Sequence, residues 1–564
     1  MFIPTSKDEV KALGWKALDV ILVTGDTYVD SPFIGVAVIG KVLLDAGYKV
    51  GIIAQPDITS ERDICRLGEP DLFWGITSGC MDSMISNHTA THKKRRQDDL
   101  TGGGVNNRRP DLAVIAYSNL VRRYFKKTRP IILGGMEASL RRISHYHYAS
   151  DSIRRSILFD AKADILVYGM GERTILELAE RIRDKHPITD VRGICYIAAE
   201  KKEGYIELPS HADTAADPAA FSRMFKIFYG NNDPITAKGL CQRQDSRYLI
   251  HNPPQFFLTP ADLDHVYELD YERNVHPYYT SWGPVRALET IRFSLTTHRG
   301  CYGECHFCAI SAHQGRTVID RTEASLLREA TTLTAHSEFK GTIQDVGGPT
   351  ANMYGIKCGR KNKRGACRRK RCLTPAVCEK LMVNHSRQIG LLKKLRHLPK
   401  VKKVFIGSGI RHDLVLQDSA HGFEYLEEII RHHISGQLKL APEHSENEIL
   451  NLMGKPTIEG FIEFKGRFET ITRHLKKKQF LTCYLIAAYP GCTLQHMARL
   501  NRFAGEVLKF RPRQVQIFTP SPSTPSTLMY YTEKSYDTGK SLFVEKNSRK
   551  KEQQKNLVLK GLSE

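Results

Sequence analysis

Cys301, Cys305 and Cys308 stand in the run Thr297-His-Arg-Gly-Cys301-Tyr-Gly-Glu-Cys305-His-Phe-Cys308, a C-x3-C-x2-C spacing. Three thiolates this close in a glycine-containing loop can face one point, as a soft metal or an iron–sulfur cluster requires. A four-iron cluster held by three protein thiolates keeps one iron open for a small molecule to chelate. Other uses of the triad fit less well. A disulfide would leave an odd thiol, and a structural zinc would need a fourth ligand from His298, His306 or His313. Unrelated buried cysteines seldom crowd a polar loop.

The loop must be held by the elements around it. An apolar run at 291–295 leads directly into it. Further strand-like runs follow at 342–346, 403–406, 437–440, 481–487 and 514–518, separated by helical stretches such as 321–334 and 424–432. In a parallel barrel the chemistry lies just past the carboxyl ends of the strands. That is where the unusual residues fall: Asp345-Val-Gly347-Gly348-Pro349, Gly407-Ser408-Gly409-Ile410-Arg411, Ala441-Pro442-Glu443-His444, Tyr489-Pro490-Gly491 and Thr519-Pro520-Ser521-Pro522. Gly407 and Gly409 let the backbone approach a ligand. Ser408 could hydrogen-bond a ribose or carboxylate, and Arg411 could pair with a carboxylate. Glu443 suits ribose hydroxyls or a substrate; it and His444 fit a helix-capping turn equally well.

With Phe307 in the aromatic position, the triad reads C-x3-C-x-aromatic-C and resembles the signature of the radical SAM enzymes. The resemblance implies a [4Fe-4S] cluster on the three cysteines, S-adenosyl-L-methionine (SAM) on the open iron, and a partial (β/α)6 TIM-type barrel. Six strand–helix steps match that barrel. Gly347-Gly348 stands where the family carries a GGE-type motif that receives the methionine amino group, with Pro349 in the acidic position. An external electron donor such as a flavodoxin or ferredoxin is also implied. Over nearly its whole length the chain is similar to the YgiQ-type radical SAM proteins. The resembling phrases are Gly25-Asp-Thr-Tyr-Val-Asp30, Ile132-Leu-Gly-Gly-Met-Glu-Ala-Ser139, Leu438-Lys-Leu-Ala-Pro-Glu-His444 and Gln516-Ile-Phe-Thr-Pro-Ser-Pro-Ser-Thr524. That similarity supplies no substrate.

The first half of the chain alternates in the same way. Strands are predicted at 19–23, 49–54, 72–76, 112–115, 130–133, 165–168 and 193–197, with a helix at 33–46. This predicts an α/β, doubly wound parallel sheet of the Rossmann-like kind, with ligand loops at the strand ends. Those loops carry Gly25-Asp26, Gly75 to Gly79, Gly134-Gly135-Met136-Glu137 and Gly169-Met-Gly171-Glu172. The GG-x-E and G-x-GE pieces resemble the cobalamin-binding-type domain that precedes some radical SAM cores. The chain lacks the D-x-H-x-x-G motif that supplies the lower axial histidine, so bound cobalamin is not expected. The predicted division is an N-terminal domain at 1–250, a proline-bearing linker at 251–285, the core at 286–530 and a basic, partly disordered tail at 531–564.

A second cysteine group, Cys358, Cys367, Cys372 and Cys378, lies in a Lys/Arg-rich insertion at 355–380. Its C-x8-C-x4-C-x5-C spacing could close a zinc site or an auxiliary iron–sulfur cluster. The net charge of +22 favours anionic partners, nucleic acid among them. There is no apolar run of membrane length and no secretory pattern at the N-terminus, so a reducing cytoplasmic location is expected. The sequence leaves the oligomeric state open. Besides radical C–H activation, two alternatives stand: methyl or methylthio transfer to RNA or protein, and a non-enzymatic metal-bearing nucleic-acid-binding protein.

Overall fold

A computed structural model describes residues 1–368, 370–510 and 512–560. The chain divides into two compact units. The first comprises Met1–Leu258, His265–Arg292 and Ser521–Ser523. Its sheet has nine strands: β1 (Val20–Thr24), β2 (Val50–Ala54), β3 (Phe73–Thr77), β4 (Ile131–Leu133), β5 (Ile165–Val167), β6 (Ile194–Ala198), β7 (Ile206–Leu208), β8 (Leu240–Gln244) and β9 (Arg247–His251). The spatial order is β7-β8-β9-β6-β5-β4-β3-β1-β2. The five strands from β2 to β5 are parallel in the order 2-1-3-4-5, so the direction of winding reverses between β1 and β3. β1 and β2 are buried at every position rather than at alternate ones, and all but Thr24 are apolar or glycine, the pattern of strands covered on both faces.

Three sequence expectations change here. The apolar run at 112–115 is not a strand but the start of the helix Ala113–Tyr124. Its buried residues, Ala113, Val114, Tyr117, Ser118, Leu120 and Val121, recur at helical spacing well beyond the run. The strand predicted at 193–197 is present but antiparallel to its neighbour, and β7 to β9 extend the sheet beyond it. Most of the predicted linker at 251–285 is not a free connection. Asn274–Val275 pairs with Val29–Asp30, and Val266, Tyr267, Tyr279 and Val285 are buried, so the apolar residues between its prolines dock it.

The second unit comprises Thr259–Asp264, Phe293–Pro520 and Thr524–Glu564. Six parallel strands run in chain order: β10 (Ser294–Thr296), β11 (Asp345–Gly347, preceded by Thr342–Ile343), β12 (Lys403–Val404), β13 (Gln437–Glu443), β14 (Phe480–Ala487) and β15 (Gln514–Ile517). The link between β12 and β13 runs through Ile410, whose N–H donates to the Lys439 carbonyl at 3.3 Å. Helices such as Glu323–Ala335, Ser386–Arg396 and Ile458–His474 fill the crossovers. This is the partial (β/α)6 arrangement, and it puts every strand's carboxyl end on one rim.

The basic tail also differs from expectation. Ser548–Lys560 is a helix packed on β14, β15 and the helix Leu494–Phe503, with Lys551, Gln554 and Val558 buried; residues 561–564 lie outside the described residues. Gln554 accepts from the Ala488 N–H at 2.9 Å and donates to the Cys492 carbonyl at 3.2 Å, fixing the loop after β14. Ala488 is held there at φ 55°, a region alanine seldom visits. Gln554→Ala leaves both buried backbone groups unpaired. It is expected to cost about 1–3 kcal/mol, read as a lower urea midpoint; an unchanged midpoint would mean the tail does not brace this loop.

Candidate active site

The cysteine loop begins where β10 ends. Thr297 donates its N–H to the Gly347 carbonyl at 2.7 Å, locking the loop's first residue to the end of β11. Gly300 follows at φ 79°, and a Cβ there would stand 2.0 Å from the Thr317 carbonyl oxygen, so the turn requires glycine. His306 ties the far side down: its N–H donates to the Met453 carbonyl, and its Nδ1 to that of Leu452, both at 2.8 Å.

Between these anchors the Cys301 and Cys305 thiols converge. A Cβ on Gly303 would lie 3.3 Å from Cys301 Sγ, 3.6 Å from Cys305 Sγ and 3.4 Å from Arg411 Nη1. The Gly303 N–H donates to Cys301 Sγ at 3.3 Å, and Arg411 Nη1 donates to Cys305 Sγ at 3.7 Å. Burial pushes the Cys308 thiol up to about 12, helped by the neighbouring Cys305 and Cys301 and by the Glu443 carboxylate. Burial and Cys305 raise Cys301 as well. Three crowded thiolates are therefore costly until a positive group joins them, and metal ions with nearby guanidinium supply that charge. Among the described residues, no three His, Cys, Asp or Glu side chains gather as tightly as a single metal ion needs.

Arg411 is placed otherwise than expected. Its Nε and Nη2 are both taken by Asp413, at 2.8 and 2.5 Å, and only Nη1 faces the thiols. It is a cation set against sulfur, not a free partner for a ligand carboxylate. Its backbone is clamped by Asn352, which accepts from the Arg411 N–H at 2.7 Å and donates to its carbonyl at 3.0 Å. Asn352 in turn lies 3.3 Å from His385, and His385 Nδ1 pairs with Asp418 at 2.8 Å.

Ser408 is likewise occupied. Its hydroxyl donates to Asp345 Oδ2, while Asp345 Oδ1 accepts from the Gly407 and Ser408 N–H groups at 2.8 and 3.1 Å. The carboxylate moulds the glycine loop after β12 around itself. Asp345→Ala would leave these donors without their acceptor and is expected to cost about 1–3 kcal/mol, measured by denaturant unfolding; no loss would show that the loop finds its shape alone. Gly347 packs on Ala351 and Ser408, and Gly348 sits against His298, whose Nε2 would be 2.6 Å from a Cβ there. Glu443 is buried at φ 71°, with Lys455 Nζ 3.7 Å away; burial raises its carboxyl and Lys455 opposes the rise. A non-glycine residue in that conformation at a strand's carboxyl end is local strain at the rim. Phe307 packs edge-on to Tyr489 with ring centres 6.5 Å apart. Sequence reading placed Asp345 on the rim without giving it a role, and passed over Asp413, Asn352 and Lys455. Asp345 and Asp413 lie within two residues of motif positions, so proximity alone could have marked them.

The second cysteine group is packed partly into the core. Cys358 and Cys372 are buried in an apolar cluster with Tyr302, Met353, Leu373, Leu381 and Leu414, and Cys378 packs at its edge. Burial pushes the Cys372 thiol up to about 11. Cys358 and Cys372 pack as small hydrophobic residues, while Cys367 and Cys378 are half-buried.

In the first unit, the acidic residues of the strand-end loops hold the fold. Asp26 pairs with Arg109 at 2.6 Å, and Arg109 also meets Asp98 at 2.9 Å and the Gly25 carbonyl at 3.1 Å. Glu137 is fully buried, accepts from the Ser83 N–H at 2.7 Å and is pushed up to about 7 by burial and Asp82. The rim at β4 and β5 is more open. A Cβ on Gly134 would meet nothing within 4 Å, and Met136, Gly169, Met170 and Gly171 beside it are half-buried. No helix among the described residues is long and apolar enough to cross a membrane.

Comparison with known proteins agrees with this architecture. A solved structure of the radical S-adenosylmethionine methyltransferase TsrM from Kitasatospora setae, with cobalamin and a [4Fe-4S] cluster bound, superposes with a TM-score of 0.51 at 14% identity. It covers 89% of this chain and 75% of that one. A second TsrM structure, with tryptophan substrate and a SAM analogue, gives 0.50 at 15% identity over the same shares. This likeness corrects the expectation against cobalamin. A protein of the same fold was solved with that cofactor bound. A UPF0313 protein of Fusobacterium nucleatum is 54% identical over 558 residues, covering 99% of this chain and 98% of that protein. Another from Thermotoga petrophila is 46% identical over 562 residues, again covering 99% and 98%. The family described as radical SAM N-terminal matches residues 2–294. The chain belongs to the UPF0313 family of the radical SAM superfamily.

Proposed function

We propose that Cys301, Cys305 and Cys308 hold a [4Fe-4S] cluster and that the chain binds SAM beside it as a radical SAM enzyme. When bound and reduced, the cluster supplies the electron that cleaves SAM to methionine and a 5′-deoxyadenosyl radical, which takes hydrogen from an unactivated C–H bond. The observation that carries this reading is the convergence of the Cys301 and Cys305 thiols on Gly303, with the Arg411 guanidinium 3.7 Å from Cys305 Sγ. Arg411 and the Gly303 N–H offset thiolate charge in a buried setting. Gly347 and Gly348 bring bare backbone to the rim, Asp345 shapes the Ser408 loop, and Glu443 and Lys455 offer a polar pair for a ligand's hydroxyls. Phe307 and Tyr489 wall the cysteine loop on one side. The test is anaerobic reconstitution, iron and sulfide counts, then reduction with SAM and detection of 5′-deoxyadenosine. A protein loaded with iron and sulfide that yields no 5′-deoxyadenosine under reduction would overturn it.

The likeness to TsrM favours methyl transfer as a second reading, with cobalamin in the first unit. Gly134, Gly135, Gly169 and Gly171, on the open rim of β4 and β5, are the residues that would let a broad, flat cofactor approach the backbone. Bound cobalamin would carry the methyl group. A cobalt count after reconstitution with hydroxocobalamin tests it, and stoichiometric iron without cobalt would count against it.

A further inference from the structure

We infer that the basic insertion at 355–380 is the docking surface for an acidic one-electron donor protein that reduces the cluster. The inference rests on the cluster reading above and adds the partner and its place.

Lys357, Arg360, Lys363, Arg364, Arg368 and Lys370 are all exposed. None of the six is in an ion pair among the described residues, whereas Arg371 beside them pairs with Asp537 at 3.1 Å. Elsewhere, exposed cations such as Arg467 and Arg431 meet a glutamate four residues before them in the sequence. The sequence from 346 to 378 contains no aspartate or glutamate, so the patch carries no carboxylate of its own; Asp320 faces Lys357 alone among the six. Uncompensated charge of one sign, confined to one segment, steers partners of the opposite sign.

The patch is fastened to the cluster loop. Tyr302, between Cys301 and Gly303, donates its hydroxyl to the Ile356 carbonyl at 3.3 Å. Lys361 Nζ lies 5.2 Å from the centre of the Tyr302 ring and donates to the Arg316 carbonyl. Cys358, Cys372 and Leu373 share one apolar cluster with Tyr302, and Cys301 packs against it. A protein seated on these cations is therefore seated beside the thiols. One electron passes from the reduced donor to the oxidised cluster, and no proton or bond changes hands. Single-stranded nucleic acid would be expected to find aromatic platforms among the cations. The stretch from 355 to 378 has no aromatic residue.

The test uses the reconstituted full chain and its variant R360E/K363E/R364E/R368E, with reduced flavodoxin as the probe and photoreduced deazariboflavin as a small neutral control. In wild type, cluster reduction by flavodoxin should slow as salt is raised. In the variant at low salt it should be slower by on the order of tenfold to a thousandfold, with deazariboflavin rates unchanged. Equal flavodoxin rates in both proteins, or a salt-independent wild-type rate, would overturn the inference. So would loss of RNA binding in the variant with flavodoxin rates intact, which would make the patch a nucleic-acid surface. Should the variant fold poorly, the wild-type salt series decides alone. Wild type that takes up no iron or sulfide defeats the functional reading itself, and the metal count separates that failure from a docking failure.

Discussion

Cys305→Ala is expected to abolish both cluster loading and SAM cleavage while leaving the fold in place. The loop does not depend on the thiol for its shape. Gly300 sets the turn, the Cys308 N–H donates to the Cys305 carbonyl at 3.0 Å, and His306 is fixed by the carbonyls of Met453 and Leu452. Removing one half-buried sulfur should cost about 1 kcal/mol or less. The functional loss should match the acceleration such enzymes supply, at least about 10⁶-fold, seen as 5′-deoxyadenosine at background level. Cys301→Ala and Cys308→Ala should behave alike. The control is Cys195→Ala, a fully buried thiol of the first unit's sheet, which should keep the iron. Retained iron in the Cys305 variant, or its loss in the Cys195 variant, would remove the triad from the centre of the mechanism.

The sequence made the triad and the six rim loops legible because both depend on local features. Thiol spacing is visible in a few residues, and buried parallel strands read as continuous apolar runs. What it concealed was set by tertiary partners. The run at 112–115 looked like a strand because four apolar residues cannot declare their period; only the continuation to Tyr124 shows that they open a helix. The lysine-rich tail looked disordered because Lys551 and Gln554 are buried through distant partners, the Tyr530 hydroxyl and the Ala488 and Cys492 backbone. Ser408 and Arg411 lie in the loop after β12, yet their polar groups are bound by Asp345 and Asp413, which composition cannot show. The second cysteine group had a suggestive spacing, but packing makes Cys358 and Cys372 core residues. The antiparallel extension of the first sheet was missed for a similar reason, because β8 and β9 carry Gln242, Arg243, Gln244 and Arg247 among their apolar residues.

Arg411→Leu should be the most destabilising single change at the rim, and its pH dependence should invert. The Asp413 side chain is only 10% exposed, and burial alone would raise its carboxyl; the Arg411 guanidinium more than reverses this and holds it down to about 2, from 3.8. A carboxylate depressed in the folded state contributes stability above its unfolded value and loses it as pH falls. Wild-type apo protein should therefore lose about 2 kcal/mol from this group between roughly pH 4 and pH 2. In Arg411→Leu the carboxylate is buried without its partner, which costs about 3–5 kcal/mol near neutrality. Its carboxyl then follows burial upward, so protonation becomes stabilising and this contribution should improve on acidification. Urea midpoints of the two apo proteins between about pH 2 and pH 6 give the sign directly; parallel curves would show that the pair carries no such linkage. Arg411→Leu with Asp413→Leu removes both charges and should regain most of the lost stability. It should not regain the cation beside Cys305. A reconstituted double variant with wild-type stability but a more negative cluster potential would place Arg411 in tuning the thiolates and not in holding the fold. An unshifted potential would confine the pair to structure.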